Sequence, residues 1–272
     1  MTVVVDDPLI SAMSIREELP LHESARRLRA LCPESPRVHG VAVMRDVSRR
    51  RWWPLAEALT AGRLADMHDA AVADIGNPVA AAQQLAATLA HSVIGRVVAL
   101  VVLEGRAWDA GLENLWVHVD SEDCIDWLAV VDPTLRVLPD DPDAARDGVV
   151  TLPGEAALAT WTAHRCHRSL SPLFGELHRV SGGVVSVEAM WRAVGTAVVS
   201  AATQAPSRAG FSEAVGMRRG QAVLDALAGF GLPVRGGTRL RADARVRSGR
   251  ATAANSTNPR MPLAKLGQPC LY

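Results

Sequence analysis

The chain has 272 residues, 49% of them hydrophobic and 21% charged, with a formal net charge of zero. That length supports a substantial buried core, and the neutral balance gives no global pull toward nucleic acid or a membrane surface. The most apolar run, residues 97–103, falls far short of the ~20 residues that span a bilayer, so no membrane span is expected.

Residues 1–8 lack a basic segment and a small-residue cleavage site, and a cytoplasmic location follows as the default. Ser14 and Glu17 have capping-box spacing, but Pro20 interrupts the helix they would start. A better helix is predicted over 22–32, with Ala25, Leu28 and Leu31 in register. Residues 38–44 read as a strand and 45–51 as a basic loop. Trp52 and Trp53 precede Pro54, from which a helix is predicted to about Asp74. Asn77 as N-cap and Pro78 at the first helical position start the next helix. Val79, Ala82, Leu85, Ala86 and Leu89 carry it to about Ile94. Residues 97–103 either extend this helix through Gly95 or form a strand, since their β-branched content suits both.

Residues 115–119 and 125–131 alternate around an acidic turn and predict a β-hairpin or meander. The Pro/Asp loop 139–148 is a candidate sub-domain boundary. The chain is helical again from Glu155, with Ser171–Pro172 as a fresh helix start and Ser181, Gly182 and Gly183 as its end. Two more helices follow over 186–231, joined by a break at 206–210. The first carries Val187, Met190, Trp191, Val194, Val198 and Ala201 in one helical stripe. The second carries Phe211, Val215, Val223, Leu227 and Phe230. The expected fold is α+β, mainly helical, with a small antiparallel sheet from strands within 97–131. Residues 1–237 are expected to form one domain. Residues 238–272, arginine-rich and poor in apolar side chains, are expected to be a disordered basic tail. Nucleic acid is a minority expectation, through that tail alone, because no aromatic residues are interleaved with its arginines.

No catalytic constellation stands out. There is no G-x-S-x-G elbow, no HExxH, and no glycine pair that continues as a phosphate loop. Cys32, Cys124, Cys166 and Cys270 are widely spaced without a CxxC pair and read as reduced core residues. Asp120, Glu122, Asp123 and Asp126 read as a solvated turn, and so do Asp140, Asp141 and Asp143. His164 and His167 lie one helical turn apart, so they could face one cavity. Arg165 and Arg168 add positive charge suited to an anionic ligand, against the alternative of a solvated helix face. Trp161 and Trp191 are candidate core residues or pocket walls.

The segments LSPLFGELHRVSGGVVSVEAMWRAVGTAVVSA, SRAGFSEAV and VLDALAGFGLPVRGG, in that order, resemble the FhuF-like ferric siderophore reductases. The similarity spans roughly residues 75–237 and rests on patterning and one Trp-bearing helix. It implies a role in iron acquisition: binding a ferric siderophore and reducing its Fe(III). In that family a C-terminal Cys-Cys followed by Cys-x-x-Cys would hold a [2Fe–2S] cluster. Here the tail offers Cys270 alone, and one thiolate cannot hold such a cluster. The chain is thus either a diverged relative that binds without reducing, or one whose reading frame shifts near Gly237. If a ferric siderophore binds, the expected contacts are His164, Arg165, His167 and Arg168, with Trp161 or Trp191 as an apolar wall. The rival expectation is a non-catalytic helical scaffold whose basic tail docks an acidic partner or nucleic acid.

Overall fold

The computed structural model describes residues 19–31, 38–40, 52–120 and 125–235. The capping box, the 45–51 loop, most of the acidic turn and the tail with Cys270 lie outside the described residues. The helices are α1 (Pro20–Leu31), α2 (Arg63–Ile75), α3 (Pro78–Ala90), α4 (Arg96–Glu104), α5 (Glu155–Val180), α6 (Val187–Ala209) and α7 (Glu213–Gly229). The strands are β1 (Val38–Gly40), β2 (Trp52–Pro54), β3 (Arg106–Ala107), β4 (Leu115–Val119), β5 (Ile125–Val130), β6 (Leu135–Val137) and β7 (Val149–Thr151). The fold is α+β and mainly helical, as expected.

Asn77 caps α3 as predicted, accepting hydrogen bonds from the N–H groups of Val79 at 2.9 Å and Ala80 at 3.1 Å. A single π turn, His91–Gly95, then joins α3 to α4 without a break. Residues 97–103 are therefore helix, not strand. Every residue from Val97 to Leu103 is buried, and a helix apolar on all sides belongs in a core. The joined helix Pro78–Glu104 is long and apolar enough to cross a membrane, but 78% of its most apolar window is buried inside the protein, which makes it a core helix.

Three other expectations about helix boundaries are corrected. Trp52–Pro54 is a strand; a 3-10 turn, Leu55–Leu59, follows, and α2 starts only after Gly62, whose φ of 71° ends the preceding turn. The helix predicted from Pro54 is thereby split. Ser171–Pro172 starts nothing, because α5 runs unbroken through Pro172. Likewise α6 continues through Pro206 and ends at Gly210, with φ 65°. An interior proline costs about 3 kcal/mol. In α5 the buried side chains of Cys166, Leu170, Leu173, Phe174 and Leu177 straddle Pro172 and outweigh that cost.

The predicted hairpin is present: β4 and β5 pair antiparallel, Val117 opposite Leu128. It forms the centre of a four-stranded sheet, ordered β1-β5-β4-β2, in which β2 pairs antiparallel and β1 parallel. Register places Trp53, Val117 and Leu128 on one face, which joins the main core. Trp52, His118 and Trp127 meet on the other face, the Trp52 and His118 rings tilted with centroids 5.1 Å apart and Trp127 edge-on to Trp52. A second sheet has the order β3-β6-β7.

Two glycines allow close approaches to α6, one from α7 and one from the segment after it. A Cβ on Gly216 would collide with Pro206, and one on Gly195 with the backbone carbonyl of Val234. The second approach lays the segment after α7 along α6.

Asp140 in the Pro/Asp loop is exposed as expected, but Asp141 and Asp143 are not solvated. Arg106, with 5% of its side chain exposed, donates from Nε and Nη2 to both oxygens of Asp141 at 2.7 and 2.8 Å, and from Nη2 to Asp143 at 2.8 Å. Its Nη1 reaches Ser24 of α1 at 3.2 Å. Ser24 donates to Glu104 at 2.8 Å, and Arg27 clasps the same carboxylate at 2.8 and 2.9 Å. This network ties α1, the end of α4 and the loop together. The expectation for Asp141 and Asp143 fails because their partner lies far away in sequence.

Candidate functional site

α5 presents His164, His167, Arg168 and Ser171 at i, i+3, i+4 and i+7, one face of the helix. α7 delivers Phe230 to this face just beyond its last turn, and α6 supplies Trp191 from beneath. The His167 ring stacks on Phe230 at 5.7 Å with 20° between planes, and meets Trp191 at 5.9 Å. His164 reaches the same Phe230 at 5.9 Å. Trp191 is 3% exposed and braced edge-on by Phe174 at 5.3 Å, so it backs His167 rather than facing solvent. Phe230 is 38% exposed and offers an open apolar ring.

Beside the ring stack lies a cavity of about 460 Å³ lined by His167, Arg168, Ser171 and Pro172 of α5, Ala56 of the first 3-10 turn, and Leu112 and Glu113 of a second 3-10 turn, Leu112–Asn114. Pro172 has no N–H, so the carbonyl of Arg168 lacks its helical donor on this lining. Burial, His164 and Arg168 together hold the His167 pKa below the ordinary imidazole value, which keeps its ring neutral at pH 7. Arg168 has no ion-pair partner among the described residues; its charge acts on His167 and on Glu113 across the cavity.

The structure brings together four of the six residues singled out from the sequence: His164, His167, Arg168 and Trp191. Arg165 points elsewhere, with Nε 2.5 Å from Asp109 Oδ1 and Nη2 hydrogen-bonded to Glu113. Trp161 lies under the Arg136 guanidinium, 4.7 Å from ring centroid to Cζ, away from the ring stack. Phe230 and Glu113 were not anticipated as site residues. Phe230 had shown only a helical register, and Glu113 no pattern at all. His178, further along α5, hydrogen-bonds the Val185 carbonyl through Nδ1 at 2.8 Å and shapes the turn after α5.

Among the described residues no group of three His, Cys, Asp or Glu side chains is placed to hold a metal ion. The [2Fe–2S] cluster implied by the sequence resemblance needs several thiolates. Cys166, the cysteine these residues contain, is fully buried 4.0 Å from the Val93 carbonyl, and burial pushes its thiol pKa up. A protonated, enclosed thiol does not fit a cluster ligand.

No family model matches the chain, and no curated protein matches it. Among solved structures the fold is similar to that of ATP-bound aerobactin synthetase IucA from a hypervirulent pathotype of Klebsiella pneumoniae, with a TM-score of 0.53 at 15% identity. The likeness covers 70% of this chain and 42% of that one, so this chain spans less than half the length of the synthetase. At that identity the likeness is one of fold.

Proposed function

We propose that this chain binds a ferric siderophore and serves iron acquisition, in the manner of FhuF-like proteins but without reducing power of its own. The observation that carries this reading is the ring stack of His164, Phe230, His167 and Trp191 beside Arg168, which has no ion-pair partner, at the edge of the cavity. A ferric chelate is a bulky, rigid ligand with an oxygen-rich surface over an organic frame. Phe230 offers the frame an apolar face, while Arg168 and the imidazole N–H groups offer donors to the oxygens. The cavity volume falls in the range of small-molecule sites, about 300–1,000 Å³. Two further facts support the reading: the patterning of residues 75–237, and the fold likeness to an aerobactin synthetase. No electron-transfer step is assigned, because the described residues offer no fitting cluster ligand.

Titration of tryptophan fluorescence with a panel of ferric chelates tests this reading. Saturable quenching is expected from the wild-type protein, since Trp191 lies directly behind His167. Arg168→Gln should weaken binding about tenfold, the loss of one charge-assisted hydrogen bond. Trp191→Phe should remove much of the quench at nearly unchanged affinity. Linear, non-saturating quenching with every chelate would sink the proposal.

A further inference from the structure

Arg165 sits on the same helix as the ring stack, yet its guanidinium is turned to the opposite wall of the cavity. There it meets Asp109 and Glu113 at once. The segment it grips is fixed from several directions. Asp109 Oδ1 also accepts the Gly111 N–H at 2.8 Å. Ser169 donates to the Ala110 carbonyl at 2.5 Å. Asn114 donates to the Asp109 carbonyl at 2.8 Å and accepts from the N–H groups of Val131 at 3.1 Å and Asp132 at 2.7 Å. A Cβ on Gly111 would collide with the Arg165 guanidinium. The Leu112–Asn114 turn is therefore held against α5 by Arg165 and Ser169, and Glu113 is carried on it.

The consequence is a cavity with both signs of charge at set positions. Glu113 lines one wall and Arg168 the other. The Glu113 carboxylate is bonded to Arg165 through Oε1, but its side chain is 69% exposed, which leaves acceptor capacity open to a ligand. Counting Asp109, Arg165, Glu113 and Arg168, the rim is electrically neutral and polarised rather than cationic.

We propose that Arg165 is a positioning residue that sets Glu113 as an anionic wall opposite Arg168, so that the cavity prefers a ligand whose oxygen-rich face meets Arg168 while a cationic or N–H-donating arm meets Glu113 over a purely polyanionic ligand. The proposal rests on the siderophore-binding reading and narrows it from any ferric chelate to one that also bears a donor arm. Arg165 thereby changes from an expected ligand contact to the residue that orders the wall.

Two probes of opposite charge separate the outcomes: the trianionic iron(III) tris-catecholate, and iron(III) desferrioxamine, whose pendant ammonium makes it monocationic. The wild-type protein should bind the second more tightly. Glu113→Gln should cross the preference, tightening the tris-catecholate and weakening the ammonium-bearing chelate by about fivefold each. Arg165→Lys, which keeps the charge without the two-pronged grip on Asp109 and Glu113, should narrow the preference. Amide exchange in residues 109–114 should quicken in Arg165→Met, whether or not ligand is present. A variant set that weakens both probes equally, or leaves exchange in 109–114 unchanged, overturns the positioning role while leaving siderophore binding intact. Failure of the wild-type protein to bind either probe overturns the parent reading, and this one with it.

Discussion

Arg106 and Arg168 carry the same guanidinium in contrasting surroundings. Arg106 is buried at the junction of α1, β3 and the Pro/Asp loop, where Asp141, Asp143 and Ser24 accept its hydrogen bonds. Arg168 stands on an open face of α5, beside stacked rings, with no carboxylate in ion-pair reach among the described residues. Around Arg106 every neighbour has a partner, which is what low dielectric demands of a buried charge. Around Arg168 the charge and the Phe230 ring stay exposed. One region uses charge as architecture; the other leaves it at the surface.

Removing the architectural charge should have the largest effect. Arg106→Met strands Asp141, which is 4% exposed, and Asp143, and should cost about 3–5 kcal/mol in urea unfolding. A loss below about 1 kcal/mol would mean that the network is solvated and the contrast with Arg168 is false.

Acid should act on the same region next. Burial opposes ionisation of Asp143, but hydrogen bonds from Arg146 and Arg106 prevail and hold its carboxyl below the usual carboxylate range. A depressed folded pKa gives stability that is fully present above the unfolded value of about 3.9 and is lost as pH falls through the folded value. Wild-type stability should therefore drop steeply below about pH 4, and Arg106→Met should show a shallower drop over the same window. Parallel pH profiles for the two proteins would contradict the role given to Arg106.

At the other region the effects should be local. The His167 pKa, lowered by burial, by His164 and by Arg168, should rise toward about 6.5 in Arg168→Met when followed by NMR titration. Because the folded pKa is depressed, His167 contributes stability above about pH 6.5 that fades as pH falls through the folded value. The smallest expected effect is on stability: Arg168→Met should change unfolding by no more than about 0.5 kcal/mol, since it breaks no hydrogen bond within the protein. A larger loss would place Arg168 among the structural arginines.

What the sequence made legible was local. The Asn77–Pro78 helix start, the α6 stripe around Trp191 and the alternation of β4 and β5 each carry their signal within a few residues, and each appears in the structure. Pro172 and Pro206 misled because a proline's cost is local, whereas the burial that overrides it comes from other helices. Asp141 and Asp143 resembled a solvated turn because Arg106, which removes them from water, is not near them in sequence. The site divides in the same way. The histidines and Arg168 share one helix face and were visible as a cluster. Phe230 and Glu113 reach that face from other elements, and only the packing of α5 against α7 and the Leu112–Asn114 turn shows them as part of it.

The central claim is that a ferric chelate occupies the face of His164, His167 and Arg168. High-spin Fe(III) broadens the NMR signals of nearby nuclei, and the matching gallium(III) chelate provides a diamagnetic control. With the iron chelate, the ring signals of His164 and His167 should broaden beyond detection while those of His118 and His178 persist; with the gallium chelate, all four should remain, His164 and His167 with shifted positions. Broadening centred on other histidines, or none at saturating chelate, would contradict the account.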